Sequence, residues 1–181
     1  MDISLLSADY TIRELTPADA DMVYHLCAEN TLFYQYHPPF ATREDILNDM
    51  SALPPGKEMK DKFYLGFFSD DSLVAVMDLI LNYPKEKTAY IGFFMMKKAM
   101  QGCGNGTKLI NGCAEFLEQS GFTKIRLAID KGNPQSEHFW SKNGFAKTGE
   151  EYPNDVSAYL PMERELPPRG SDSTASNQNA C

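Results

Sequence analysis

The chain has 181 residues, enough for one domain with a real core, and is 43% hydrophobic and 23% charged, the balance of an ordinary globular protein. Its formal charge of −8 argues against nucleic acid as a partner, since a basic surface supplies most of that affinity, and it suits a cationic substrate such as an amine. No apolar run approaches the roughly 20 residues that cross a bilayer, so no membrane partner is expected.

The opening residues Met1-Asp2-Ile3-Ser4-Leu5-Leu6-Ser7 carry an acid and no Lys or Arg, unlike a signal peptide, and the reading is a cytoplasmic protein. The cysteines are Cys27, Cys103, Cys113 and Cys181, with no Cys-x-x-Cys pair, and His25, His37 and His138 are scattered. Free thiols in a reduced compartment follow, and no metal site is expected.

Tyr10–Leu15 alternates with the period of a strand. Thr16-Pro17-Ala18-Asp19 then starts a helix, with Thr16 as cap, Pro17 at the first helical position and Asp19 favouring the dipole. This helix turns Ala20, Val23, Tyr24 and Cys27 inward. His37-Pro38-Pro39-Phe40 breaks helix and strand alike, and Thr42-Arg43-Glu44-Asp45 caps a second helix that ends near Leu53. Three strands follow in meander order: Phe63–Phe68, Leu73–Leu81 and Thr88–Met96. The short turn Ser69–Ser72 and the loop Asn82–Lys87 between them call for antiparallel pairing.

After Met96 comes Gln101-Gly102-Cys103-Gly104-Asn105-Gly106-Thr107, then a helix whose Leu109, Ile110, Cys113, Phe116 and Leu117 share a face up to Gly121. Strand, glycine-rich loop and helix start form an anion site, because glycine admits phosphate to the backbone and the helix N-terminus presents unpaired N–H groups. The P-loop spacing fails, since Thr107 stands where its second Gly belongs. Gly-x-Gly-x-x-Gly fails from Gly102, which ends on Thr107, and from Gly104, which ends on Leu109. A ligand-free turn stays open on the loop alone.

Lys124–Ile129 reads as a strand reached from that helix by a parallel crossover. Asn133-Pro134-Gln135-Ser136 opens another helix, closed by Asn143-Gly144. Strands at Ala146–Tyr152 and Val156–Glu165 complete a domain of residues 1–166. The polar tail 167–181 has almost nothing to bury and is expected to be disordered.

Gln101-x-x-Gly104-x-Gly106 resembles the pyrophosphate loop of the GCN5-related N-acetyltransferases, the GNAT superfamily. Asn133-x-x-Ser136-x-x-Phe139-Trp140-x-Lys142-x-Gly144-Phe145 is similar to a second segment of that family, at the expected distance. The opening strand and helix and the ending Leu160–Leu166 look like the family as well. The resemblance implies an α/β (α+β) fold, with a mixed central sheet antiparallel in its N-terminal part, parallel at the glycine-loop crossover, splayed there, and flanked by helices.

It also implies acetyl-CoA as co-substrate between the splayed strands. Main-chain groups of Phe94, Met95 and Met96 would hold the pantetheine, and Asn133 its arm. Gln101, Gly102, Cys103, Gly104, Asn105, Gly106 and Thr107 would hold the pyrophosphate, with Ser136, Phe139 and Lys142 alongside. The acceptor is a small-molecule amine, with Phe33, Tyr34, Tyr36 and Phe40 either forming its pocket or covering the core. A protein or peptide amine, or a CoA-binding module without catalysis, stay open as alternatives. The family often dimerises.

The amine needs a proton acceptor and the CoA thiolate a donor. The resemblance gives the oxyanion to a main-chain N–H, that of Met95. The chain departs from the family in carrying Trp140 where a tyrosine usually donates to the thiolate, and an indole cannot act as acid. Ser136, another tyrosine, water or no group stay open as the donor. Thr88–Met96 lacks the usual glutamate, which leaves Asp78, among Val74, Val76 and Ile80, as candidate base or ammonium anchor. A carboxylate satisfied by backbone or solvent is the plainer account of it. Tyr83 and Glu86 lie on a loop and are weaker candidates.

Overall fold

A computed structural model describes residues 1–167, so the tail expected to be disordered lies outside the described residues except for Pro167. The strands are β1 Thr11–Glu14, β2 Lys62–Ser69, β3 Ser72–Leu81, β4 Thr88–Met96, β5 Lys124–Asp130, β6 Ala146–Lys147, β7 Tyr152–Pro153 and β8 Ala158–Glu165. The helices are α1 Ala20–Ala28, α2 Thr31–Tyr34, α3 Arg43–Ser51, α4 Asn105–Gln119 and α5 Pro134–Lys142. The strands form one sheet in the order β1-β2-β3-β4-β5-β8-β6, with β7 also on β8. The β4–β5 pair is parallel and every other pair antiparallel, the mixed sheet expected.

The meander forms because its connections are tight. Ser69 faces Ser72 across a turn with Asp70 at φ 52°, and Asn82 accepts the Lys87 N–H through Oδ1 at 2.8 Å. The chain after α5 differs from the single strand expected over 146–152. Gly149 at φ +87° turns the backbone, so two short strands, β6 and β7, meet β8 separately.

Helices cover both faces of the sheet. On one face Leu109, Ile110, Cys113, Phe116 and Leu117 of α4, the stripe read from the sequence, pack with Leu6, Trp140 and the strands. On the other, Val23, Leu26 and Cys27 of α1 and Ile46 and Met50 of α3 pack on Tyr64, Val76 and Met95. Among the described residues no helix is long and apolar enough to cross a membrane.

At the entry to α1, Asp19 does more than favour the dipole. Its carboxylate accepts from the Thr16 N–H at 2.8 Å and from both terminal nitrogens of Arg13 at 2.9 and 2.7 Å. The Arg13 guanidinium holds this carboxyl well below the usual range. Asp19→Ala is expected to cost about 1–2 kcal/mol at pH 7, the scale of a lost cap. A group with a depressed folded pKa contributes stability above its unfolded value, near 4, and loses it below. The gap in urea midpoint between wild type and variant should therefore persist from pH 7 to 5 and narrow at pH 3.

Candidate functional site

Parallel pairing of β4 with β5 stops at Ile91 and Leu127. Beyond it Gly92–Met96 and Ala128–Asp130 line opposite walls of a cleft of about 820 Å³. This is the splayed opening that the family resemblance implies, and its chemistry depends on which backbone groups face it. Lys97 donates its N–H to the Val74 carbonyl at 2.8 Å. Bonded and non-bonded pairs alternate along an antiparallel ladder, so Met95, opposite Val76, also turns its N–H to β3. Phe94 and Met96 turn theirs into the opening. The expected oxyanion donor, Met95, is thus committed to the sheet, and the Phe94 N–H faces the cleft instead.

Met96 is restricted in a second way. Its carbonyl accepts from Asn30 Nδ2 at 3.2 Å and Gln101 Nε2 at 2.9 Å, and Gln101 also donates to Asn30 Oδ1 at 2.7 Å. Two donors occupy both lone pairs of that oxygen. Gln101 therefore ties the strand end to the α1–α2 connection, with its donors spent on protein. Phe94 keeps both of its main-chain groups for a ligand.

The glycine-rich loop has the geometry of an anion cradle. Gly102 and Gly104 sit at φ +77° and +83°, and a Cβ at either would meet no atom within 4 Å, which leaves open space beside the backbone. The first bond of α4 runs from the Lys108 N–H to the Gly104 carbonyl at 3.0 Å, so the N–H groups of Asn105, Gly106 and Thr107 have no helical partner. A Cβ on Gly106 would come 3.0 Å from the Phe139 ring, which stacks on Phe94 at 6.0 Å. Cys103 and Asn105 do not line the cleft with their neighbours. Cys103 is exposed, and the Asn105 amide donates to the Met100 carbonyl at 3.0 Å.

On the facing wall Asn133 is buried and caps α5, its Oδ1 accepting the Ser136 N–H at 3.0 Å, so Nδ2 is what it can offer a ligand. Ser136, Phe139 and Lys142 line the cleft. Trp140 is buried against Phe94, Phe139 and Phe145, a packing role in place of an acid. Tyr90 and Tyr159 also line the cleft, whereas Tyr83 and Glu86 do not.

Asp78 reaches the cleft too, but it is not free. Lys62 Nζ lies 2.7 Å from its Oδ1, with 1% of the lysine side chain and 12% of the aspartate side chain exposed. Burial raises the Asp78 carboxyl and Lys62 pulls it back down, with the net direction upward. The opposing strand accommodates this pair with glycine. Asp78 faces Phe93 and Leu79 faces Ile91, so Gly92 is the extra residue of a bulge, and a Cβ there would lie 2.6 Å from Asp78 Oδ2.

A smaller pocket of about 230 Å³ adjoins the cleft between α1, α3 and the sheet, and Phe33, His37, Asp49 and Phe93 line both. Its walls include Tyr34 and Tyr64, while Tyr36 and Phe40 lie outside; Phe40 packs on Tyr34 at 4.1 Å. Asp45 lines it but is spent on the Thr42 cap. Asp49 has no hydrogen-bond partner among the described residues; it is solvent-exposed, yet the surrounding cleft atoms raise its carboxyl.

Sequence reasoning misses His37, Asp49, Lys62 and Asp130. His37 Nδ1 lies 3.1 and 3.2 Å from the two oxygens of Asp130, a buried residue at the end of β5. Nothing in the sequence pairs them. A lysine heading an apolar strand is the one hint for Lys62, and a glycine inside a strand the hint for the bulge. Among the described residues no group of three or more His, Cys, Asp or Glu could hold a metal.

Residues 21–145 match the family model described as acetyltransferase (GNAT) family. No curated protein sequence matches the chain. Among solved structures, an acetyltransferase from Thermus thermophilus is similar at TM-score 0.70 and 20% identity, covering 90% of this chain and 99% of that one. The PaiA N-acetyltransferase from Thermoplasma acidophilum, solved in complex with coenzyme A, is similar at TM-score 0.63 and 20% identity, with 86% and 98% covered. A spermidine N-acetyltransferase SpeG chimera from Vibrio cholerae and hSSAT is similar at TM-score 0.63 and 19% identity, with 88% and 96% covered.

Proposed function

The chain belongs to the acetyltransferase (GNAT) family, and on that premise we propose that it transfers acetyl from acetyl-CoA directly to the primary amine of a small molecule. The observation that carries the acceptor class is the side pocket. At about 230 Å³ it is of a size for an alkyl chain, and its aromatic walls include Phe33, Tyr34, Tyr64 and Phe93, which supports a small acceptor. The unpaired Asp49 carboxylate and those ring faces suit an ammonium. The negative charge of the whole chain adds to the attraction.

Acetyl-CoA supplies the activated thioester. The free N–H groups of Asn105–Thr107 and the turn at Gly102 and Gly104 receive its pyrophosphate. The main chain of Phe94 and the Nδ2 of Asn133 hold the pantetheine. The Phe94 N–H, turned away from β3, is the donor for the carbonyl oxygen as negative charge develops on it. Ser136 is the donor to the thiolate. Asp78 is held in an ion pair with Lys62, so the proton acceptor is another group.

The test is thiol release from acetyl-CoA against polyamines, aminoglycosides, amino acids and short peptides. Turnover is expected on a small cationic amine, with KM raised about 10-fold or more in Asp49→Asn, the loss of one hydrogen bond to a charged group. Turnover on peptides alone would transfer the assignment to a protein amine. Acetyl-CoA binding with no turnover on any member would indicate a non-catalytic module.

A further inference from the structure

An acceptor amine arrives as an ammonium and cannot attack until it loses a proton. The carboxylate expected to take it, Asp78, is already engaged in an ion pair with Lys62 at 2.7 Å. We propose that His37 takes this proton, with Asp130 as its positioning residue. This proposal rests on the transferase reading above.

Three observations carry it. Asp130, at the last position of β5, presents both carboxylate oxygens to His37 Nδ1 at 3.1 and 3.2 Å. A buried carboxylate on one ring nitrogen fixes the tautomer with hydrogen there and leaves the lone pair on the other. Second, Nε2 has no hydrogen-bond partner among the described residues. Third, His37 lines both the cleft and the side pocket, so it stands where acceptor and thioester meet. Its ring is held by Phe33 at 5.2 Å and Tyr159 at 6.3 Å.

The proton count closes. The ammonium gives one proton to His37 Nε2, and the amine lone pair forms the C–N bond as the carbonyl π pair moves to oxygen. Return of that pair breaks the C–S bond, and its electrons leave on the CoA sulfur. Ser136 gives its hydroxyl proton to that sulfur and regains the nitrogen's second one, giving amide and thiol, and His37 returns its own to solvent. Net, one ammonium and one thioester give one amide, one thiol and one proton.

The charged groups facing His37 are Asp130 from β5 and Asp49 from α3, and both favour the imidazolium, as the hydrogen bond to Asp130 does most. The neutral base is therefore reached above the ordinary histidine value near 6.5, and kcat/KM should rise with pH along a limb centred above it.

The experiment measures kcat and KM against pH with acetyl-CoA and the panel amine of highest turnover. It uses wild type, His37→Gln, His37→Ala and Asp130→Asn. Loss of the limb in His37→Gln, with kcat lower by about 10²- to 10⁴-fold and acetyl-CoA affinity kept, is the result expected. His37→Ala should regain turnover with added imidazole, which a structural defect would not permit. Asp130→Asn should retain a limb moved to lower pH. Wild-type turnover with the limb intact in His37→Gln overturns the dyad and leaves the transferase. Loss of acetyl-CoA affinity in step with turnover, or no rescue by imidazole, also overturns it. A wild type that binds acetyl-CoA and acetylates no amine overturns both readings.

Discussion

Lys62→Met is expected to lower stability by about 3–5 kcal/mol at neutral pH, the cost of leaving one partner of a buried ion pair alone. The lysine is almost wholly buried and Asp78 nearly so, and they meet at 2.7 Å between the second and third strands. Asp78 is already raised by its burial. Without the lysine it rises further, and the folded variant holds a proton that the unfolded chain releases above about pH 4. A raised folded pKa means that stability is lost as pH increases from the unfolded value toward the folded one. The deficit should therefore be small near pH 4 and grow toward neutrality, in urea unfolding at a series of pH values. The double variant Lys62→Met/Asp78→Leu should recover most of the loss, because an apolar pair of similar volume avoids the desolvation. A deficit below about 1 kcal/mol that ignores pH would mean the pair behaves as a solvated one.

The largest effect on ligand binding is expected at the glycine loop. Gly104 caps α4 at φ +83° with open space where a Cβ would stand. Gly104→Val should weaken acetyl-CoA by about 10²- to 10³-fold, the worth of one or two hydrogen bonds to charged phosphate. Strain of about 1–2 kcal/mol in the left-handed backbone adds a modest loss of stability. Acetyl-pantetheine provides the control, since it carries the thioester but no pyrophosphate, and it should bind wild type and variant alike. Calorimetric titration separates the outcomes. CoA affinity within threefold of wild type would remove the loop from the pyrophosphate, and equal losses for both ligands would indicate a distorted cleft.

The Gln101–Gly106 loop is legible in the sequence because its properties are local. Positive φ at Gly102 and Gly104 and free N–H groups at a helix start follow from a few consecutive residues. The same holds for the α4 stripe, the β2–β3 turn and the Asn133 cap of α5. The β3–β4–β5 order follows from connection lengths, while the place where the parallel strands part is something the family resemblance implies.

What lay beyond the sequence depends on register and on contacts between distant segments. Whether Met95 or Phe94 turns its N–H to the cleft is a matter of one residue in the β3–β4 ladder, downstream of a bulge at Gly92. Asp78 reads as an unpaired acid on an apolar strand, whereas β2 pairing sets Tyr64 opposite it and brings Lys62, opposite Ile80, diagonally onto its carboxylate. Gln101 reaches across 71 positions to Asn30, and His37 across 93 to Asp130. The glycine-rich loop is thus written in local backbone preference, whereas the charge partners of the cleft residues come from strand pairing and loop closure, which no single stretch of sequence contains.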